Sequence, residues 1–159
     1  MNNLDRQQLT KLLTFTDEDA ISRFMDMYEM EEDEVRDIFE ETLKFLYISQ
    51  IPGVFIPDDL LIIDEMWHNL ILFTPQYHEF SKEYLGTPYF HHLPASKKEK
   101  EARKSAMLAD SDKAKKEYLN KLEFLLSVTY DHLGADTVEK WFNIYPQKYS
   151  KANINKLRK

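Results

Sequence analysis

Apolar residues recur along this chain at three- and four-residue intervals, the period of a helix with one buried face. Leu4, Leu9, Leu12 and Leu13 predict a first helix over 3–15. Thr16 and Asp19 have capping-box spacing, with acids in the first turn of a second helix carrying Ile21, Phe24, Met25 and Tyr28. A third spans 32–49, with Val35, Ile38, Phe39, Thr42, Leu43, Leu46 and Tyr47 on its apolar side. Two prolines and a glycine in "QIPGVFIP" then break the pattern. Pro57-Asp58-Asp59 suits the first turn of a fourth helix reaching Phe73. Thr74-Pro75 reads as N-cap and first position of a fifth, which stops near Leu85 before Gly86. "TPYFHHLP" is a proline-bounded loop, after which Ser96 can cap a Lys-rich helix over 97–109. "DSD" either interrupts that helix or is passed through. Periodicity resumes at Tyr118, Leu119, Leu122, Leu125, Leu126 and Val128 and ends at Gly134. Asp136 and Glu139 offer another capping box before Val138, Trp141, Phe142 and Ile144. "YPQKYSKANINKLRK" reads as a frayed basic tail. The expectation is all-α: one domain of about seven helices over 1–145, and a tail over 146–159.

Composition supports that reading. The chain has 159 residues, 43% of them hydrophobic and 31% charged, enough for a core and a well-solvated surface. Three glycines are too few for the turns of an all-β protein. With no cysteine, disulfides, zinc ribbons and thiol nucleophiles are excluded. No apolar run approaches the roughly 20 residues that cross a bilayer, and "MNNLDRQQLT" has no signal-peptide pattern, so a cytoplasmic protein without a membrane partner is expected.

Charge adds a second feature. The net charge is −7, but residues 17–41 hold twelve acids and two bases, whereas 97–159 hold fifteen bases and nine acids. Solvated helix faces account for this. The alternative is an acidic surface for a protein partner, centred on Glu31, Glu32, Asp33 and Glu34. Nucleic acid is not expected as a partner. The basic half is interleaved with acids and lacks clustered arginines and aromatic platforms.

The chemistry gathers in "IIDEMWHNLILFTPQYHEFSKEYLGTPYFHHLP", residues 62–94, which holds four of the five histidines. With Trp67 at the centre of the buried face of the fourth helix, Leu60, Ile63, Leu70 and Ile71 fall within about 60° of it. Glu65, Asn69 and Asp58 fall on the far side, facing solvent. Asp64 and His68, four residues apart, share the flank of the apolar stripe. A carboxylate at the edge of a core needs a partner. The pair reads either as a hydrogen-bonded structural unit that orients the imidazole or as two ligands of one divalent ion. His91 and His92 point oppositely from an extended loop, so one of them can face the helices. Asp64, His68 and a loop histidine would make a three-ligand site with a position left for water, suited to Zn or to Fe/Mn. His78 lies beside the inner face formed by Tyr77, Phe80, Ser81 and Tyr84 and is a weaker candidate. Trp67, Phe73, Tyr77, Phe80, Tyr84, Tyr89 and Phe90 read mostly as core.

Asp64, Trp67, His68, Leu72, Phe73, Tyr77, Phe80, Gly86, His92 and Pro94 follow a pattern: Asp, two residues, Trp-His, then Leu-x-x-Thr (with Ile71 at its first position here), Tyr, Phe, Gly and a His-His-x-Pro close. In this the stretch resembles bacterial and plant proteins grouped as glycine-rich-domain-containing-protein-like. About a fifth of the chain carries the resemblance, with looser echoes in "LKFLYISQ" and "DTVEKWF". Ser81 stands where such proteins often have cysteine, and no glycine-rich tail follows. The resemblance implies a helical domain in which the Trp-His and His-x-Pro pieces belong together. It supplies no reaction.

Three functions fit these residues. The first is a small soluble binding or adaptor domain, with a divalent metal or an Asp-His pair at the motif. The second is a metal-dependent hydrolase using Asp64, His68 and His92 around a bound water. The third is a partner-neutralising or escort protein acting through its acidic helices. Serine hydrolysis lacks a GxSxG elbow, and phosphate-loop chemistry lacks its glycines.

Overall fold

The computed structural model describes residues 4–92 and 97–159. Among these the chain is all-α, with nine helices where the periodicity suggested about seven, and without strands apart from an isolated bridge between Tyr28 and Arg158. The helices are α1 (Arg6–Leu12), α2 (Glu18–Met27), α3 (Glu32–Ile48), α4 (Leu61–Leu72, entered through a 3-10 turn at Asp58–Leu60) and α5 (Thr74–Tyr84). After these come α6 (Lys97–Ala109) and α7 (Ser111–Leu133). An α8 over 135–148 contains a π-helical turn at Lys140–Ile144, and α9 (Lys151–Leu157) closes the series.

The helix starts follow local capping chemistry, with corrections to the expected residues. Asp17, not Thr16, caps α2: its carboxylate accepts from the Ala20 amide at 3.2 Å, while the Thr16 hydroxyl turns to Glu18. Thr74 is already the first helical residue of α5, and Phe73 occupies the cap. The Asp136–Glu139 box does not form; Gly134, at φ +93°, precedes α8, and Asp136 lies in the first turn. Asp110 caps α7 and so separates it from α6. Ser96 and Pro94 lie outside the described residues.

α3 is central, touching α1, α2, α4 and α7. Ile38, Leu46, Phe24, Met66 and Trp141 bring four helices into one apolar cluster. Residues expected as a frayed tail belong to the same cluster. Tyr145, Tyr149 and Ile154 are buried, the Tyr149 hydroxyl donates to Glu34 at 2.5 Å, and the Glu29 amide donates to the Leu157 carbonyl at 2.7 Å. Periodicity misled here because residues 145–157 carry few aliphatics; they are anchored by tyrosines.

The stripe on α7 is only partly core. Leu125 and Val128 are buried, whereas Leu119, Leu126 and Tyr130 stay exposed, and α6 buries no residue. Asn69 departs the other way. Expected in solvent, it is buried between α4 and α2, accepting from Arg23 at 2.7 Å and donating to the Ala20 carbonyl at 2.7 Å. α4 is covered on two sides, by α3 and α2, so it has no free polar face at that position.

Candidate metal centre

Asp64 enters from the first turn of α4, where the helix dipole favours a carboxylate. One helical turn later His68 rises on the same flank, as the four-residue spacing requires. Its Nδ1 is 3.7 Å from Asp64 Oδ2. The third group arrives from the loop after α5: His92 Nε2 is 2.7 Å from Asp64 Oδ1. Each carboxylate oxygen therefore faces a different imidazole. One donor atom from each of the three residues can be chosen so that all lie within 4.8 Å of one another.

Exposure grades across the site. The side chain of His92 is 8% exposed, that of Asp64 24% and that of His68 53%. His92 is thus the anchored member, with its ring stacked on the Trp67 indole at 4.0 Å and 11° between planes. The His68 ring lies 4.6 Å from it and forms the rim.

The loop that carries His92 is templated by α5. The Trp67 indole N–H donates to the Tyr77 hydroxyl at 2.9 Å, and that hydroxyl donates to the Phe90 carbonyl at 2.6 Å. The Phe90 amide donates to Ser81 Oγ at 3.2 Å, and the Thr87 amide to the Ser81 carbonyl at 3.1 Å. His78 Nδ1 meets the Pro88 carbonyl at 3.0 Å, so this histidine holds the loop and stays outside the cluster. Burial pushes the Tyr77 phenol up to about 12, so it keeps the proton it donates across the physiological range.

An ionised carboxylate only accepts hydrogen bonds, so the 2.7 Å contact puts the imidazole proton on His92 Nε2 when no ion is bound. The donor set also fits a small divalent cation. Tetrahedral ligands at about 2.1 Å from an ion stand roughly 3.4 Å apart. With one donor atom taken from each residue, the three lie within 4.8 Å of one another, so modest side-chain movement would bring them to that spacing. Two imidazoles and one carboxylate suit zinc, and also iron or manganese.

The two loop histidines separate as the alternation required. His92 faces α4, whereas His91 is exposed with its ring against Tyr89 at 4.9 Å, outside the cluster. Trp67, Tyr77 and Phe80 are buried core residues, and Phe73, Tyr84, Tyr89 and Phe90 are partly buried against them. On the acidic segment, Glu31, Glu32 and Asp33 are exposed, but Glu34 is engaged within the molecule by Tyr149 and by Lys148 at 3.7 Å. Residue patterns did not reveal the part played by Tyr77 and Ser81. Their inner-face positions were legible, but nothing in the spacing says which loop atom a hydroxyl will reach.

The model of the UCP032817-like family matches residues 5–124, more than half of the chain and all three residues of the cluster. No curated protein and no solved structure matches the chain.

Proposed function

The chain belongs to the UCP032817-like family, a membership that names no reaction, and from the site itself we propose a helical binding domain that holds one divalent metal ion at Asp64, His68 and His92. The observation that supports this most is the convergence of donors from two separate elements, α4 and the loop after α5, on one small volume. His91 is left out of the ligand set because it faces away. Three protein ligands leave at least one position to solvent or to a partner's donor atom. The resemblance to glycine-rich-domain-containing-protein-like proteins is proposed alongside, since its Trp-His and His-His-x-Pro pieces are those that meet at Trp67 and His92.

The exposed rim at His68 favours a second reading, metal-dependent hydrolysis by an ion-bound water. Binding is preferred because hydrolysis also needs a cleft for substrate, and two cavities of the described residues, one lined by Phe15, Asp17, Glu79 and Tyr84 and one by Glu34, Lys148 and Tyr149, lie away from the three ligands. An escort role through the acidic segment is weaker, because Glu18, Glu34, Asp37 and Glu41 already face cations of the same chain.

Elemental analysis and zinc titration of the purified protein test the metal. One ion per chain is expected, with His68→Ala weakening affinity by at least about tenfold. Binding should also weaken as pH falls, because protons compete with the ion for the ligand donor atoms. A protein that holds and takes up no ion, or a His68→Ala variant that loses melting temperature while binding zinc as before, would remove this reading.

A further inference from the structure

We propose that Tyr77 is the positioning residue of this site, setting His92 in the place where it meets Asp64 and His68. The proposal rests on the metal reading for its consequence, but not for its geometry.

His92 lies outside the helices, on the segment that follows α5. The Asp64 carboxylate meets its ring on one edge and the Trp67 indole on one face, with the His68 ring 4.6 Å away. The indole and the backbone that carries His92 both lead back to Tyr77. The indole cannot swivel, because its N–H is bound to the Tyr77 hydroxyl at 2.9 Å. The loop backbone cannot slide, because the same hydroxyl donates to the Phe90 carbonyl at 2.6 Å, two residues before His92. Two residues of chain reach about 7 Å, so freedom at Phe90 becomes freedom at the imidazole. Ser81 completes the clamp by accepting from the Phe90 amide. One side chain thus accepts from the group under the imidazole and donates to the chain that carries it. A phenylalanine would fill the same space and do neither. Groups that hold a metal ligand in place without touching the ion act on metal affinity by orienting ligands before the ion arrives.

Tyr77→Phe is read in two ways. The first is the NMR shift of the His92 ring protons, which stacking on Trp67 displaces upfield; the variant should lose most of that displacement. The second is zinc affinity by competition with a chromophoric chelator, which should fall about 10- to 100-fold. Tyr47→Phe is the control. It removes a hydroxyl that donates to the Asp5 carbonyl at 3.1 Å, far from the site, and should move neither readout. If Tyr77→Phe does not fold, Ser81→Ala decides by the same two readouts, with smaller changes in the same direction. Unchanged His92 resonances with unchanged zinc affinity would overturn the proposal. A wild-type protein that takes up no zinc would remove the metal reading and the effect on affinity, while the His92 resonances still decide whether Tyr77 sets the imidazole.

Discussion

Asn69 carries more of this fold than its polarity suggests. Its carbonyl oxygen accepts from the Arg23 guanidinium and its amide donates to the Ala20 carbonyl, both at 2.7 Å and both joining α4 to α2. Leaving a charged donor and a backbone acceptor without partners costs more than one ordinary hydrogen bond contributes. Asn69→Ala should therefore destabilise by about 2 kcal/mol, measured by urea unfolding; a change below about 0.5 kcal/mol would mean that water replaces the side chain. The helical wheel sent Asn69 to solvent because it assumes one buried face. The same wheel put Asp64 and His68 correctly on the flank of the apolar stripe. Alternation along an extended loop could say that one of His91 and His92 faces inward. Choosing between them takes the Trp67 ring, whose reach across the loop is not a matter of spacing.

At the scale of elements, punctuation was the legible part. Prolines, glycines and acids marked most helix ends to within a few residues, because those residues act locally through φ, a missing N–H or a cap. What stayed illegible was how elements meet through polar side chains. α8 is the clearest case. Its π turn sets Lys140 against α3, 2.7 Å from Asp37 and 3.4 Å from Glu41, while Trp141 enters the core. Glu41 is almost fully buried, a position no periodicity would assign to an acid. Removing the cation from a fully buried pair costs 3–5 kcal/mol as a rule. Here Lys44 remains 3.1 Å from the other Glu41 oxygen, and the Tyr145 hydroxyl still donates to Asp37. Lys140→Ala should therefore cost about 2 kcal/mol. Adding Glu41→Gln should recover part of that loss, since no buried charge is then left with one partner. Additive losses in the double-mutant cycle would show that Lys140 and Glu41 do not act as a pair.

Over the whole molecule, the uneven charge of the sequence is partly a closing device. Lys140, Lys148 and Arg158 come from the basic half; they reach Asp37 and Glu41, Glu34, and Glu65 respectively. Two tyrosines span the same seam, and Tyr28 lies at its edge under Arg158. Tyr28 donates to Glu65, Tyr145 to Asp37 and Tyr149 to Glu34, so each phenol sits beside a carboxylate. Burial first, and that neighbouring charge second, push the Tyr28 phenol up to about 12 and raise Tyr145 and Tyr149 as well. Tyr77 reaches about 12 with burial as its leading cause. The consequence for stability has a definite sign. In the unfolded chain these phenols ionise near 10. The folded protein resists their ionisation, so it binds more protons than the unfolded chain above that pH. The stabilisation is complete below pH 10 and is lost as pH rises from 10 through about 12. Between those values urea midpoints should fall steeply, with tyrosinate absorbance appearing together with loss of helical circular dichroism. Tyr28→Phe removes one of the four phenols and should make the fall shallower. A wild-type midpoint that stays level from pH 10 to 12 would mean that these hydroxyls ionise as readily in the folded protein as in the unfolded chain.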